Sequence, residues 1–290
     1  MMTRVRGVER VQPAYATIEG AGVRLHRAFG YEDVPLFDPF LMLDDFRAGT
    51  QPEDYLAGFP WHPHRGIETV TYMLEGKIEH GDSMGNAGIV NAGDIQWMTA
   101  GSGIIHQEMP KPVNGVMGGF QLWMNLPRSK KMMDPRYQEI KRHQVPVATP
   151  QPGVEVTVIC GTVSGVKGPV EHIVADPEYL DITLRPDTGF LHKVGAGYTA
   201  AAYVIGGKGY FDDGSGSFSE NRDMILFGDG DSIKVRSSPE GVRFLFFSGK
   251  SIREPVAWGG PVVMNTPEEL AEAFREYRDG TFIKKKGTTG

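Results

Sequence analysis

Short apolar runs separated by turn residues recur along this chain and limit the folds it can adopt. Gly-Asp pairs punctuate the runs, at residues 81–82, 93–94 and 230–231. The 290 residues include 38 glycines and 20 prolines, which favours many turns over long helices. Strands are predicted at residues 14–18, 23–28, 68–74, 89–90, 95–99, 120–126, 154–160, 179–184, 200–205, 224–227 and 242–248. This spacing indicates an all-β sandwich or barrel.

The two halves of the chain repeat part of this pattern. YMLEGK at residues 72–77 matches YVIGGK at 203–208, and AGD at 92–94 is echoed by DGD at 229–231. Such self-similarity predicts two copies of one β-module. We place the first module at residues 1–143, a Pro- and Gln-rich linker at 144–153 and the second module at 154–265.

Two segments are predicted to be helical. Asp134-Pro135 provides a cap and a first helical position for a short helix through Ile140. TPEE at residues 266–269 is a capping box that starts a closing helix over residues 266–282. Apolar side chains then follow at helical spacing: Leu270, Phe274 and Tyr277. Residues 283–290 form a tail whose lysines, Lys284 to Lys286, are expected to be solvated.

Composition and charge narrow the possible functions. The formal net charge is −6, whereas nucleic-acid binders usually carry a basic face, so direct nucleic-acid binding is not expected. Cys160 is the single cysteine, which excludes an internal disulfide framework and fits a reducing compartment. The sequence contains neither a run of roughly 18 apolar residues nor the apolar core of a signal peptide. These features predict a soluble, cytoplasmic protein.

Two pairs of polar residues suggest a metal site in the first module. His62 and His64 are two residues apart, so on a strand they face the same side. His106 and Glu108 form a second such pair after a strand and a glycine turn. Three imidazoles and one carboxylate suit a divalent transition metal that keeps open positions. Together with a divalent ion, these four ligands would have a net charge of about +1, which is modest enough to bury.

The second module is predicted to lack this site. Projecting the histidine pair through the repeat reaches Lys193 and Gly195, with His192 one residue off and facing the other way. Counting from the turn residues places Arg243 and Leu245 where the second pair would stand. Arginine would repel a divalent ion and leucine has no donor atom. We therefore expect one metal ion per chain, with the second module as a scaffold.

These motifs resemble those of the pirin family, which are bicupins of the cupin superfamily. The resemblance runs from about residue 2 to Phe282. It rests on DPFLMLDDF at residues 38–46, HPHRGIETV at 62–70, GDIQWMTAGSGIIHQEMP at 93–110, IREPVAWGGPVVMNT at 252–266 and YRDGTF at 277–282. It implies an all-β fold of two cupin-type β-barrels with a short C-terminal helix. It also implies one metal ion, usually iron, in the N-terminal barrel, with the ligands His62, His64, His106 and Glu108.

The carboxylate ligand has two candidates. General cupins take it from a glutamate shortly after the histidine pair, where Glu68 stands. Pirins resemble one another in using the later glutamate, which is Glu108 here. Gly66 lies before Glu68 and can break the strand register. We therefore favour Glu108 and expect Glu68 to be either a partner of the ligands or an outward-facing charge.

Candidate pocket residues surround the predicted ligands. Positions that resemble pocket-lining ones in pirins are Asp45, Phe46, Phe59 and Met73, and Trp97 lies beside the second ligand strand. Packing in the core is the alternative explanation for each of them. Histidines without a matching partner are expected at the surface or in turns: His26, His80, His143 and His172.

The resemblance suggests two functions from different classes. Bacterial pirins are similar in site chemistry to quercetin 2,3-dioxygenases, which implies oxidative opening of a flavonol-like aromatic. Fe(II), or else Ni, Cu, Mn or Zn, would act as a Lewis acid on the flavonol hydroxyl, and Glu108 would take its proton. The alternative is a non-catalytic pirin that binds a protein partner and uses the metal as a structural or redox element.

Overall fold

The chain forms two compact units that interleave along the sequence. The computed structural model describes residues 4–47, 56–111, 116–174, 176–212 and 216–285. The first unit contains Tyr15–Leu36, Phe40–Arg142 and Ile252–Gly290, and the second contains Met1–Ala14, Phe37–Pro39 and His143–Ser251. This division differs from the predicted boundaries, which kept the N-terminal residues with the first module and residues 252–265 with the second.

Strands make up most of both units. In the first half of the chain they are β1 (Val8–Pro13), β2 (Tyr15–Glu19), β3 (Val23–Phe29), β4 (Phe40–Asp45), β5 (Phe59–His64), β6 (Ile67–Glu75), β7 (Lys77–Asp82), β8 (Ala87–Asn91), β9 (Ile95–Thr99), β10 (Ile104–Lys111), β11 (Gly118–Asn125) and β12 (Arg136–Ile140). In the second half they are β13 (Val147–Ala148), β14 (Val154–Cys160), β15 (Thr162–Val163), β16 (Val166–Lys167), β17 (Glu178–Leu184), β18 (Gly189–Lys193), β19 (Tyr198–Tyr210), β20 (Ser219–Glu220), β21 (Asp223–Phe227), β22 (Ser232–Lys250), β23 (Ala257–Gly259) and β24 (Val262–Met264). Short 3-10 turns lie at Tyr31–Asp33 and Arg142–Gln144, and the helix α1 spans Pro267–Arg278. No helix among the described residues is long and apolar enough to span a membrane.

The first unit is built mainly from two antiparallel sheets. One has the strand order β12-β9-β6-β11-β4-β3-β2, and the other has the order β5-β10-β7-β8. Because successive side chains on a strand point to opposite faces, alternate residues of each strand face the interior. One buried apolar cluster forms around Ile67, Met98 and Trp123, and another forms around Phe46 and Met73. The predicted all-β character of this module is confirmed.

The C-terminal segment also belongs to the first unit. Strands β23 and β24 form a hairpin, and an isolated bridge pairs Val262 of this hairpin with Arg65. Leu270 and Phe274 of α1 pack against the buried cluster that contains Val262. The segment therefore packs beside the strand that carries the histidine pair.

The closing helix begins as the sequence predicts. The Thr266 hydroxyl accepts a hydrogen bond from the Glu269 amide at 3.2 Å, and the Glu269 side chain bonds back to the cap. Tyr277 remains 40% exposed, with its ring against that of Phe282. In the tail, Lys284 and Lys285 are exposed, whereas Lys286 lies outside the described residues.

The helix predicted from Asp134 to Ile140 was wrong. Residues Arg136–Ile140 form β12, which pairs with Ile95–Thr99 at the edge of the seven-stranded sheet. A helix of this length is unstable in isolation, whereas a strand at an open sheet edge gains a full ladder of backbone hydrogen bonds. Tertiary pairing thus overrides the local cap signal.

The second unit is a second antiparallel β-structure. Its main sheet follows the path β1-β21-β19-β22-β17-β14-β13, with β18 beside β22 and β20 beside β19. Strands β15 and β16 form a separate pair. The interior is apolar and contains residues such as Val156, Ile182 and Phe244. A core of this kind needs no metal to hold it together.

The strand ladders confirm the internal repeat but correct its register. Tyr72 pairs with Ile95 in β9, and its counterpart Tyr203 pairs with Met224 in β21. Strand β21 therefore corresponds to β9, and the DGD sequence follows β21 whereas AGD precedes β9. The AGD and DGD turns are therefore alike in sequence but do not occupy equivalent positions in the two units.

The corrected register changes the counterparts of the predicted ligands. In the first unit His62 pairs with His106 and His64 with Ile104. In the matching ladder of the second unit, Phe190 pairs with Val235 and His192 with Ile233. The inward positions are thus held by these residues, not by Lys193, Gly195, Arg243 and Leu245 as predicted. His192 is buried and bonds to Glu178 at 2.9 Å, so it faces inward and not the other way.

Gly66 is predicted to be required for the packing of the C-terminal hairpin. Its φ of +78° disfavours other residues, and an added Cβ would lie 2.0 Å from the Val263 carbonyl oxygen. Gly66→Ala should therefore lower the free energy of unfolding by more than the roughly 1–3 kcal/mol of a left-handed conformation alone. Gly85→Ala is the control, because Gly85 has a φ of +90° with no atom within 4 Å of the added Cβ. Equal losses for the two variants in urea unfolding would contradict the prediction.

Candidate metal centre

Three histidines converge inside the first unit. His62 and His64 lie two apart at the end of β5, and the β5–β10 ladder places His62 opposite His106. Their rings are 4.4 to 5.0 Å apart between centroids. One ligand nitrogen from each lies within 4.8 Å of the others. The predicted convergence of these side chains is therefore present in the structure.

Hydrogen bonds orient two of the imidazoles. Nδ1 of His62 lies 2.8 Å from the Pro60 carbonyl oxygen, and Nδ1 of His64 lies 3.1 Å from the Pro261 carbonyl oxygen. A carbonyl can only accept, so each Nδ1 is assigned as the donor and each Nε2 carries a lone pair. These two Nε2 atoms are 3.0 Å apart. Two lone pairs at this distance repel each other unless a cation lies between them.

Burial keeps the inner histidines neutral. His64 is 1% exposed and His106 is fully buried. Burial, reinforced by the neighbouring imidazoles, holds the pKa of both rings well below the ordinary histidine value. Neutral imidazole is the form that binds metal ions.

The cluster fits a divalent transition metal. Both nitrogens of His106 are buried without a hydrogen-bond partner in the described part of the chain, so one lone pair is free to coordinate. Nitrogen ligands about 2.1 Å from a shared ion lie roughly 3 Å apart when they meet it at a right angle. The separation of the His62 and His64 Nε2 atoms agrees with that spacing. Imidazole ligands suit Zn, Cu, Fe and Ni.

Glu108 lies on the same strand as His106 but outside the histidine cluster. Its side chain is 2% exposed and shares the buried face of β10 with His106. Oε1 accepts a hydrogen bond from the Thr71 hydroxyl, and Oε2 accepts one from the Gln121 amide, both at 2.9 Å. A bulge between His106 and Glu108 shifts the ladder with β5. Coordination by Glu108 therefore remains a prediction.

Glu68 faces away from the histidines. Thr71 on the same strand reaches Glu108, and Glu68, three residues earlier, points to the opposite face of the sheet. There it accepts a hydrogen bond from the Thr99 hydroxyl at 2.6 Å. Gly66 has a positive φ and separates β5 from β6. The alternation of side chains between the two faces of a strand therefore does not continue from His64 to Glu68. Burial raises the pKa of Glu68.

A cavity of about 670 Å³ opens beside His62 and His64. Its walls include five large aromatic side chains: Tyr31, Phe59, Trp61, Trp123 and Trp258. Its polar groups include Gln121 and the ion pair of Arg27 with Asp44, in which Nε and Oδ1 are 2.8 Å apart. This combination of aromatic walls and few polar groups suits a flat organic ligand.

The predicted pocket residues divide into two groups. Phe59 lines this cavity, and Phe46 lines a smaller one that it shares with Phe59 and Glu108. Neither cavity is lined by Asp45, Met73 or Trp97. Strand alternation explains two of these, because Asp44 and Gln96 take the inward positions next to Asp45 and Trp97. Met73 is packed in the apolar cluster with Phe46.

One histidine that was expected at the surface is buried beside the cluster. His80 is 1% exposed, and its ring lies 5.5 Å from that of His106. The Gln96 amide bonds to its Nδ1 at 3.2 Å, and the ring of Tyr137 stacks on it at 4.7 Å. Ladder pairing puts His80 opposite Glu108. From the sequence, only its position two residues after Ile78 on the same strand could have indicated that His80 faces the interior.

Sequence comparisons agree with this architecture. Two antiparallel barrels in one chain, the first with an inward-facing histidine cluster, define a bicupin. The pirin profile matches residues 22–124, and the profile of the pirin C-terminal cupin domain matches residues 179–283. The chain belongs to the pirin family, and the predicted bicupin fold is confirmed.

Similar proteins match almost the whole chain. A pirin-like protein of Caulobacter vibrioides is 44% identical over 280 residues, which cover 96% of this chain and 99% of that protein. The pirin of Homo sapiens is 40% identical over 268 residues, which cover 90% and 88% of the two chains. The crystal structure of a quercetin 2,3-dioxygenase from Acinetobacter baumannii has a TM-score of 0.86 and 28% identity, and the alignment covers 96% of this chain and 98% of that one.

The two glutamates are predicted to respond differently to substitution by glutamine. Glu108→Gln should weaken metal affinity, by roughly 10- to 100-fold if the carboxylate acts only through its hydrogen bonds and by more if it coordinates. Glu68→Gln should change affinity by less than a factor of about three, because its side chain faces away. Chelator competition on both purified variants provides the measurement. The reverse ranking would assign the carboxylate to Glu68.

Glu68 is also predicted to affect stability in a pH-dependent way. Its pKa is raised by folding, so the folded state binds the proton more tightly than the unfolded state. This contribution is present below the unfolded pKa of about 4.3 and is lost as the pH rises. Glu68→Gln, which stays neutral, should therefore gain stability relative to the native chain in urea unfolding as the pH rises from the unfolded pKa through the folded pKa. A stability difference between the two chains that shrinks as the pH rises above about 4.3 would contradict the assignment.

Proposed function

We propose that this chain is a metal-dependent dioxygenase that opens a flavonol-like aromatic ring. The metal, Fe(II) in this proposal, would be held by His62, His64 and His106. The observation that carries the proposal is the convergence of three imidazoles beside an aromatic-lined cavity. The likeness to the quercetin 2,3-dioxygenase of Acinetobacter baumannii supports the choice of substrate class.

The histidines have distinct positions in this proposal. His62 and His64 line the cavity, whereas His106 lies behind them and is fully buried. A ligand that enters the cavity therefore meets one side of the ion, and the protein encloses the other. Bound at this site, Fe(II) would supply Lewis acidity and one-electron chemistry with dioxygen.

Glu108 accepts a proton or coordinates the ion in this proposal. Thr71 and Gln121 each donate one hydrogen bond to its carboxylate, and a carboxylate oxygen has a further lone pair to offer. Gln121 also lines the cavity, so the hydrogen bond from Gln121 connects Glu108 to the ligand space. In the proposed reaction Glu108 takes the proton of the flavonol hydroxyl that approaches the histidines.

The cavity walls orient and desolvate the substrate. Phe59, Trp123 and Trp258 present ring surfaces on which a flat aromatic can pack. The paired charges of Arg27 and Asp44 offer hydrogen bonds to hydroxyl groups at the rim. Excluding water strengthens each of these polar contacts.

Oxygen consumption by iron-loaded protein tests the proposal. With quercetin as substrate, the native chain should consume oxygen and hold one iron per chain by elemental analysis. His62→Ala should lose the metal and at least about 100-fold in rate, because it removes a ligand. His192→Ala is the matched control, since it removes the inward histidine of the second unit and should leave both values unchanged.

Three results would contradict the proposal. Absence of oxygen uptake with Fe, Ni, Cu, Mn and Zn would contradict the enzyme, and together with specific retention of a protein partner it would favour a pirin that acts through that partner. Unchanged iron content in His62→Ala would exclude the histidine site. Two ions per chain, one of them lost in His192→Ala, would place a second site in the second unit.

A further inference from the structure

The C-terminal hairpin reaches the histidine site from far along the sequence. Its turn places the Pro261 carbonyl oxygen 3.1 Å from Nδ1 of His64, 197 residues away. Trp258, Gly260 and Pro261 also form part of the cavity wall. The Trp258 ring lies 5.9 Å from that of Trp123 between centroids. The hairpin therefore touches both a candidate ligand and the ligand space.

The residues that follow His64 hold this hairpin by backbone contacts. The Val263 amide donates to the Arg65 carbonyl at 3.0 Å. Gly66 packs so closely on Val263 that a methyl group would not fit between them. The buried ammonium of Lys131 donates to the carbonyls of Gly66 and Val263, both at 2.9 Å, and to the Asn125 side chain. Displacement of the hairpin would thus disturb the end of the ligand strand.

The Arg65 side chain extends this connection to both ligand strands. Its Nε donates to the Ser102 carbonyl at 2.8 Å, in the turn that leads to β10. Its Nη2 donates to the Phe282 carbonyl at 2.8 Å, and Nη1 pairs with Glu276 of α1 at 2.7 Å. The guanidinium also lies over the Phe282 ring, 4.2 Å from its centroid. One buried side chain therefore joins β5, the start of β10 and the C-terminal segment.

We propose that the β23–β24 hairpin is a positioning element of the metal centre, so that hairpin docking and metal binding are coupled. This inference rests on the metal site of the proposed function. When the hairpin is docked, Pro261 holds the His64 ring with Nε2 turned toward the shared point. When it is displaced, the ring loses its acceptor and the cavity loses the wall that Trp258 provides. Contacts of this kind typically change metal affinity 10- to 100-fold.

The alternative is that the hairpin only stabilises the fold. The two explanations differ because coupling is reciprocal: if docking strengthens metal binding, metal binding must strengthen docking by the same factor. A purely structural contact would stabilise the unit without responding to the metal.

Hydrogen exchange of the full-length chain tests one direction of the coupling. Amide exchange in residues 257–264 is measured with and without Fe²⁺ under anaerobic conditions. We expect bound Fe²⁺ to slow exchange at Val263 at least about 10-fold, because its amide bonds to the residue after His64. In His62→Ala this added protection should disappear. If Fe²⁺ binds to His62→Ala as it binds to the native chain, the histidine site itself is wrong, which is a separate result.

Chelator competition tests the other direction. Lys131→Met removes the ammonium that joins Gly66 to Val263 and should weaken Fe²⁺ affinity about 10-fold or more. Lys130→Met alters the neighbouring exposed lysine and should leave the affinity unchanged. If Lys131→Met fails to fold, Glu276→Gln replaces it, because it breaks the ion pair with Arg65. Its control is Glu272→Gln, which alters a surface pair with Arg275 on the same helix.

The outcomes decide between the two explanations. Slowed exchange in the native chain together with weakened Fe²⁺ affinity in Lys131→Met, or in Glu276→Gln if that variant replaces it, supports the coupling. If the exchange of residues 257–264 does not respond to Fe²⁺, the proposal fails. It also fails if a folded Lys131→Met or Glu276→Gln binds Fe²⁺ as tightly as its control.

Discussion

The burial of imidazole nitrogens inside a β-barrel is the constraint on which the first unit depends. A buried polar atom without a partner is unfavourable, so each ring must be satisfied by the protein or by a ligand. Pro60 and Pro261 supply carbonyl oxygens to His62 and His64, and both carbonyls come from residues that cannot donate a backbone hydrogen bond themselves. His106 receives no such partner among the described residues. Hydrogen bonds therefore satisfy the outer nitrogens of the His62 and His64 rings. The nitrogens at the point where all three rings meet are not satisfied by the part of the protein that the structure describes.

The features predicted well from the sequence are those set by local periodicity. His62 and His64 converge because residues two apart on a strand share a face, and this holds wherever the strand lies. The capping box at Thr266 is likewise a local interaction between a side chain and backbone amides nearby. Strands such as β9 and β14 have the predicted bounds because turn residues flank their apolar runs. In each case the physical cause lies within a few residues of its effect.

The features that sequence reasoning missed depend on contacts between distant residues. Nothing near His64 indicates that its acceptor is Pro261, although the motif around Pro261 was part of the family resemblance. The alternation of side chains between the two strand faces breaks between His64 and Glu68 because Gly66 adopts a positive φ, and the hairpin packs against Gly66 too closely for a Cβ. Residues Arg136–Ile140 form a strand because β9 offers a free edge. The repeat register failed because DGD follows β21 whereas AGD precedes β9, so counting from these two turns compared positions that are not equivalent.

The second unit shows what the same architecture does with one inward histidine. His192 bonds to the Glu178 carboxylate at 2.9 Å, and the Ser248 hydroxyl donates to the same oxygen at 3.3 Å. That ring finds its partner within the protein, and the rest of the interior is apolar. In the first unit the carboxylate nearest in sequence to His106 is instead bonded to Thr71 and Gln121, and neither nitrogen of His106 has a hydrogen-bond partner among the described residues. Because the second unit folds with Phe190 and Val235 at two of these positions and with a histidine satisfied by Glu178 at the third, the histidine cluster of the first unit is explained better by the cation it can bind than by the fold it occupies.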